Sequence, residues 1–203
     1  MSFVMFAGCE YFGLMMGEGR SIDRDGNIIS DDAEKVIRIN KDVVIARAGD
    51  EFLIRAAEKP LLSIKHRKAL TYEKCVSLLK SRAEELKEEY ASLPAENGYK
   101  AHIGLMGISN NTLCFCSIGY YNKSVNIVEC RYNKGSDVTF CFLATGSDGS
   151  LGEQFRRRFA ETNVFTTDNL IAIFKSVLAD NVGRDNAINE RCTHKTLILR
   201  QPQ

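Results

Sequence analysis

Tryptophan is absent from this chain of 203 residues, and proline and histidine occur only three times each. The three histidines, His66, His102 and His194, are spread too widely for a catalytic triad or a metal centre, and no role is assigned to them. An excess of either charge is also lacking, since 27 basic and 26 acidic residues leave a formal charge of +1. So balanced a chain has no electrostatic draw toward nucleic acid or an anionic membrane, and neither is expected as a partner. No apolar run reaches the roughly 18 residues that a membrane-spanning helix needs. The N-terminal stretch has no basic segment, and Gly and Glu interrupt its apolar runs, so no signal peptide is expected. Cysteine is present but unframed: seven scattered thiols, an odd number, imply a reducing, cytoplasmic setting. Cys114 and Cys116 fall on one face of an alternating strand, as buried thiols rather than as a metal site, and no cofactor is implied.

What the sequence does contain is strands, from its first residues on. Phe3 to Gly8 and Tyr11 to Met16 are apolar runs of strand length around the polar break Cys9-Glu10, which predicts a hairpin. A turn-rich segment, Asp23 to Asp32, precedes predicted strands at Lys35–Ile39 and Asp42–Ala48. Asp50 is placed to cap a helix with Phe52, Leu53, Ala56 and Ala57 on one face, stopped by Pro60. A longer helix follows Thr71, with Tyr72, Cys75, Val76, Leu79, Ala83, Leu86 and Tyr90 at helical spacing and Pro94 beyond its end. Strands are predicted again at His102–Ile108, Thr112–Ile118, Val125–Tyr132 and Val138–Ala144. Ser150 to Glu153 has capping-box spacing, and Thr167 is placed to cap a last helix before a final strand, Thr193–Leu199. The order is strands, two helices, strands, two helices, strand. It predicts a single α+β domain over residues 1–203, with helices on both faces of packed antiparallel sheets.

These residues resemble the proteasome β-subunits and bacterial HslV-type peptidases of the N-terminal-nucleophile (Ntn) hydrolases, over nearly the whole chain. The resemblance is clearest from Ser2 to Ala57 and from Tyr99 to Phe155. Mature members begin with a nucleophilic Thr and carry an acidic residue sixteen positions later; Ser2 and Glu18, within Leu14-Met15-Met16-Gly17-Glu18-Gly19-Arg20, have that spacing. Glu34-Lys35-Val36-Ile37-Arg38-Ile39 is similar to the family's lysine segment, and Ala48-Gly49 to the pair that opens its first helix. Gly146-Ser147-Asp148-Gly149-Ser150 resembles its later Gly-Ser-Gly turn. Ser in place of Thr and Glu in place of Asp depart from the pattern. The family's Asp-Leu-Gly-Ser turn is matched only loosely, with Asp185 at the Asp and Ile188 or Asn189 where the Ser should fall. Asn122 to Asp137 looks longer than the usual connection.

The resemblance implies a four-layer αββα sandwich of two antiparallel sheets flanked by helix pairs. It also implies a peptidase in which Ser2, once Met1 is removed, attacks the substrate with its own α-amine as base; that amine's ordinary pKa is about 7.7–8.0. Lys35 would favour the neutral amine, Glu18 would pair with Lys35, and the Gly49 N–H would stabilise the oxyanion. Asp185 would support the site. Ser21 and Arg47 would contact substrate, Arg47 as the pocket floor favouring acidic side chains unless Glu51 neutralises it. Peptides or unfolded proteins would be the substrates, a homo-oligomeric ring the assembly, and an ATPase the partner by analogy. Two other readings stand beside this one: an inactive scaffold subunit of the same fold, and a small-amide Ntn hydrolase with Cys9 as nucleophile.

Overall fold

A computed structural model describes residues 2–23, 25–93, 100–145 and 149–199, with the side chains of Ala144 and Thr145 excepted. Met1, Pro94, Tyr99 and the Gly146-Ser147-Asp148 part of the later turn lie outside the described residues.

Strict alternation of side chains along each strand decides the architecture. Strand β1 (Phe3–Gly8) pairs antiparallel with β2 (Phe12–Glu18), giving the predicted hairpin. Val4 and Phe6 point to one core, while Phe3, Met5 and Ala7 point to another. Both faces are therefore buried. The same holds for β6 (Val43–Gly49), β7 (Ala101–Ser109) and β8 (Thr112–Tyr121), whose alternate residues divide between two cores. With β3 (Ser21–Ile22), β4 (Ile28–Ser30), β5 (Val36–Asn40), β9 (Ser124–Tyr132), β10 (Thr139–Thr145) and β11 (Cys192–Ile198), the strands form two main sheets. One has the order β10-β1-β2-β11 and the other β5-β6-β7-β8-β9, while β3 and β4 make a separate small hairpin. All the pairings are antiparallel.

The sheets share one apolar core, and each packs its outer face under a helix pair. Helices α1 (Glu51–Leu62) and α2 (Tyr72–Ser92) cover the five-stranded sheet, and α3 (Ser150–Thr162) and α4 (Thr167–Asn181) the four-stranded one. This is the four-layer αββα sandwich. The buried residues of α2 are the seven predicted from its spacing, and the Thr71 hydroxyl accepts from the Lys74 N–H at 3.2 Å.

Four details differ from the sequence reading. Pro60 does not stop α1, which runs on to Leu62; the Ala56 carbonyl, which Pro60 has no N–H to engage, accepts instead from Arg82 Nε at 3.0 Å. Phe52 is exposed, and the buried stripe of α1 runs through Leu53, Ile54, Ala57, Glu58 and Leu61. Ser150 is inside α3, because Gly149 takes the left-handed conformation (φ 80°) as the cap itself. Thr166 rather than Thr167 caps α4, accepting from the Asn169 N–H at 3.3 Å. The segment Asn122–Asp137 is largely strand β9, entered by a tight Asn122-Lys123 turn with both φ positive.

All seven cysteines are free thiols, with Cys9, Cys75, Cys114 and Cys116 buried and the other three half-buried. Among the described residues no helix is long and apolar enough to cross a membrane.

Phe6 is fully buried between the sheets and stacks on Phe115 with ring centroids 4.3 Å apart. Phe6→Ala is expected to destabilise the fold by about 3–5 kcal/mol in denaturant titration. Ile198→Ala, at a side chain 70% exposed on an edge strand, is expected to stay within about 0.5 kcal/mol.

Candidate functional site

The hairpin register sets Val4 opposite Gly17, so the Ser2 end of β1 lies beside the Glu18 end of β2. Lys35 enters from the facing sheet, one residue before β5. The three side chains meet between the sheets, each under a tenth exposed. Lys35 Nζ stands 2.9 Å from Ser2 Oγ and is bonded to Glu18 Oε1. The other carboxylate oxygen, Oε2, accepts from the Arg20 N–H at 2.5 Å. Burial pulls Lys35 down to about 7, because an ammonium loses its hydration there. The touching Glu18 carboxylate works in the opposite sense by charge attraction. The two effects thus act in opposite directions on the protonation of the amine beside the serine hydroxyl.

A polar net braces this group from the loops. Asn189, also buried, accepts from the Gly19 N–H at 3.0 Å and donates to Asp31 O at 2.9 Å and Asp31 Oδ1 at 3.1 Å. Arg20 Nε donates to Asp31 Oδ1 at 2.6 Å, and Nη1 to Asn186 O at 3.1 Å. Those bonds from Arg20 and Asn189 hold the Asp31 carboxyl below its usual range. Asp185 lies at the head of the same turn, its carboxylate accepting from the Ala187 N–H at 2.9 Å and its carbonyl from the Ile188 N–H at 3.0 Å. Of the two residues weighed for the family's Ser position, Ile188 is sunk in the core under α3 and α4, and Asn189 is the one that reaches the Glu18 turn. Asn189 is one of the two residues that the loose turn match offers and Arg20 closes the Glu18 motif, whereas Asp31, in the turn-rich segment, carries no sequence signal of the bonds it makes to both.

Gly49 closes β6 at φ 110°, where an added Cβ would lie 2.2 Å from the Lys100 carbonyl oxygen, so only glycine fits. The Arg47 N–H bonds the Lys35 carbonyl at 2.9 Å, which ties the two positions together. The arginine's partner is Glu58 at 3.2 Å, with a second bond to the Glu34 carbonyl at 3.3 Å. Glu51 is turned to Arg55 at 2.8 Å and does not neutralise Arg47. Glu58 is 1% exposed, and burial pushes its carboxyl up. Ser21, half-buried, opens the β3–β4 hairpin. Cys9 lies past the opposite end of β1 from Ser2, about 20 Å away at strand rise, and is not brought to Glu18 or Lys35. Among the described residues no cluster of His, Cys, Asp and Glu could hold a metal ion.

The two buried charges predict opposite pH responses. Glu18→Gln leaves Lys35 unpaired, so Lys35 must shed its proton on folding while the unfolded chain keeps it up to about 10.4. The loss of stability, about 3–5 kcal/mol at pH 6–7, should shrink as pH rises toward 9. Lys35→Met leaves a buried carboxyl that must take up a proton on folding, so its penalty should grow as pH rises from 5 to 8. Urea titrations of both variants across that range check the signs.

No protein-family model matches the chain, and no curated protein sequence does. Among solved structures it matches eukaryotic HslV from Trypanosoma brucei at a TM-score of 0.58 and 15% sequence identity, over 97% of this chain and 99% of that one. The element order, the layers and this match agree on an HslV-like four-layer sandwich fold.

Proposed function

We propose that this chain is an Ntn hydrolase that cleaves peptide bonds, with Ser2 as nucleophile once the preceding residue is removed. The observation that carries the reading is the buried Lys35 amine bonded at once to Ser2 Oγ and to Glu18. A buried ion pair is weak support for stability, whereas an amine poised near neutrality on a hydroxyl is what activation of serine requires. Ser2 Oγ passes its proton to the neutral amine of Lys35 or to the freed α-amine, and Glu18 stabilises the ammonium that forms on the lysine. Oγ adds to the substrate carbonyl carbon. The tetrahedral oxyanion is held by the Gly49 N–H. Its collapse breaks the C–N bond, the amine leaves with a proton, and water then hydrolyses the acyl-serine ester. Asp185 serves this site through the turn that carries Asn189. Ser21 and Arg47 line the substrate path, with Glu58 cancelling much of the charge of Arg47. The fold suggests a homo-oligomeric ring acting on peptides or unfolded proteins in the cytoplasm, with an ATPase partner by analogy.

An intact mass before and after a peptide epoxyketone tests the reading. The expected result is a mass lacking Met1, with an adduct that Ser2→Ala abolishes. A retained Met1 with no adduct would overturn it in favour of an inert scaffold. Adduct formation should rise with pH through about 7, as Lys35 loses its proton. Lys35→Arg, which stays charged, should slow it by about 100-fold or more and move the rise toward the α-amine range of about 7.7–8.0. For specificity, the native chain should show no preference for a peptide ending in Glu over one ending in Leu. Glu58→Gln should raise kcat/KM for the Glu peptide by about tenfold or more, by freeing Arg47 for a charge-assisted bond.

A further inference from the structure

The four-stranded sheet ends at β10, and among the described residues no backbone bond engages its outer side. A cavity of about 460 Å³ runs along that side. Its lining includes four consecutive residues, Thr139 to Phe142. Because successive side chains point to opposite faces, with Cys141 toward the inter-sheet core and Phe140 and Phe142 toward the helices, the cavity meets the strand edge-on. One wall is the inner face of β9, with Val128, Cys130 and Tyr132; the other is the start of α3, where Gly149 and Gly152 add no side chain. This is a slot beside a strand edge that no backbone group of the described residues pairs.

We propose that the slot binds an extended peptide segment of a partner protein, which adds to β10 as a fifth strand. The unpaired N–H and C=O groups of β10 are the complement of such a strand, and an apolar molecule without a peptide backbone would leave them unmet. Tyr132 supplies the apolar end of the wall: its ring is 4% exposed, and its hydroxyl is turned inward beside Thr139 and Cys130 rather than into the slot. Arg156 lies over the Phe142 ring at 4.6 Å with no carboxylate partner among the described residues, and Glu153 lines the same wall. The segment that fits is apolar at alternate residues, with an acidic side chain at the Arg156 end. The slot is separate from the Ser2 site: Phe140 and Cys141 sit opposite Ala7 and Phe6, about 15 Å along β1 from Ser2. The proposal therefore stands whether or not Ser2 is a nucleophile.

Cys130 and Cys141 line the slot, while Cys192, equally half-buried, lies on β11 at the other edge of the sheet. A displayed library of random nine-residue peptides is selected on the intact chain, and the enriched peptides are added during timed maleimide labelling read by peptide mass mapping. The expected result is labelling of Cys130 and Cys141 slowed fivefold or more with Cys192 unchanged. The same peptide N-methylated at alternate amides should give no protection, and Gly152→Leu, which fills the helix-side wall, should weaken binding at least tenfold while the melting temperature is kept. No enrichment, or binders that leave Cys130 and Cys141 labelling unchanged, would overturn the proposal. Equal protection by the N-methylated peptide would reduce the slot to a site for apolar groups. Protection that grows with protein concentration and no peptide would assign it to a second copy of the chain; either result also overturns strand addition.

Discussion

Two sheets packed face to face, each with helices on its outer side, leave the central strands no face toward water. That constraint organises everything else in the molecule. It requires β1, β2, β6, β7 and β8 to be apolar on both faces, and it makes any charge among them conspicuous. Among the described residues only three charged side chains, Glu18, Lys35 and Glu58, are under a tenth exposed. Each is paired: Lys35 with Glu18, and Glu58 with Arg47. The pairs are neighbours, because the Arg47 N–H bonds the Lys35 carbonyl across the start of the β5–β6 ladder. The two pairs thus stand at the same end of β5 and β6 but on opposite faces of that sheet, Lys35 with Glu18 between the sheets and Arg47 with Glu58 under α1.

Apolar residues of similar volume commonly replace a buried ion pair at no loss of stability or with a gain, so a fold governed by stability alone would not need it. The pair is also more than a tie between sheets. An ion pair needs two charges, yet here the amine has a third partner, a serine hydroxyl at 2.9 Å. Burial moves the amine toward neutrality while the touching carboxylate favours its charge, so the two act on its protonation in opposite directions.

Much of the fold was legible because it is periodic. Apolar runs and alternation marked the strands of the two main sheets to within a few residues, though not the short β3–β4 hairpin around the turn-rich segment, and helical spacing named the whole buried face of α2. The failures were local chemistry settled by distant residues. Nothing near Pro60 announces that Arg82, on the next helix, will satisfy the carbonyl that proline leaves open. Glu58 shows the reverse case. It lies four residues beyond Ile54 on the buried stripe of α1, whereas Glu51, two turns earlier on nearly the same face, sits exposed in the first turn and bonds Arg55 instead. At the candidate site, spacing and family resemblance singled out Ser2, Glu18 and Lys35, and these do come together. Asn189 and Arg20 stand in segments that the resemblance marked, but the brace they form with Asp31 was not legible, because turn residues show no period and the bonds of Asn189 span 158 and 170 positions of chain.

Glu18 itself illustrates how backbone and side-chain demands combine. It stands between two glycines, both buried. A Cβ on Gly17 would lie 3.2 Å from Lys35 Cβ and from Val36 Cγ2, and one on Gly19 would lie 2.9 Å from the Asp31 carbonyl oxygen. The first glycine lets the strand that brings Lys35 close onto β2, and the second lets the Asp31 loop close from the other side. With side chains at either position, one of the contacting backbones would have to retreat, and Lys35 or the Asn189 brace would move away from Glu18. The small residues around the carboxylate are therefore as necessary to the arrangement as the charges, since they set how near the lysine and the loops can come.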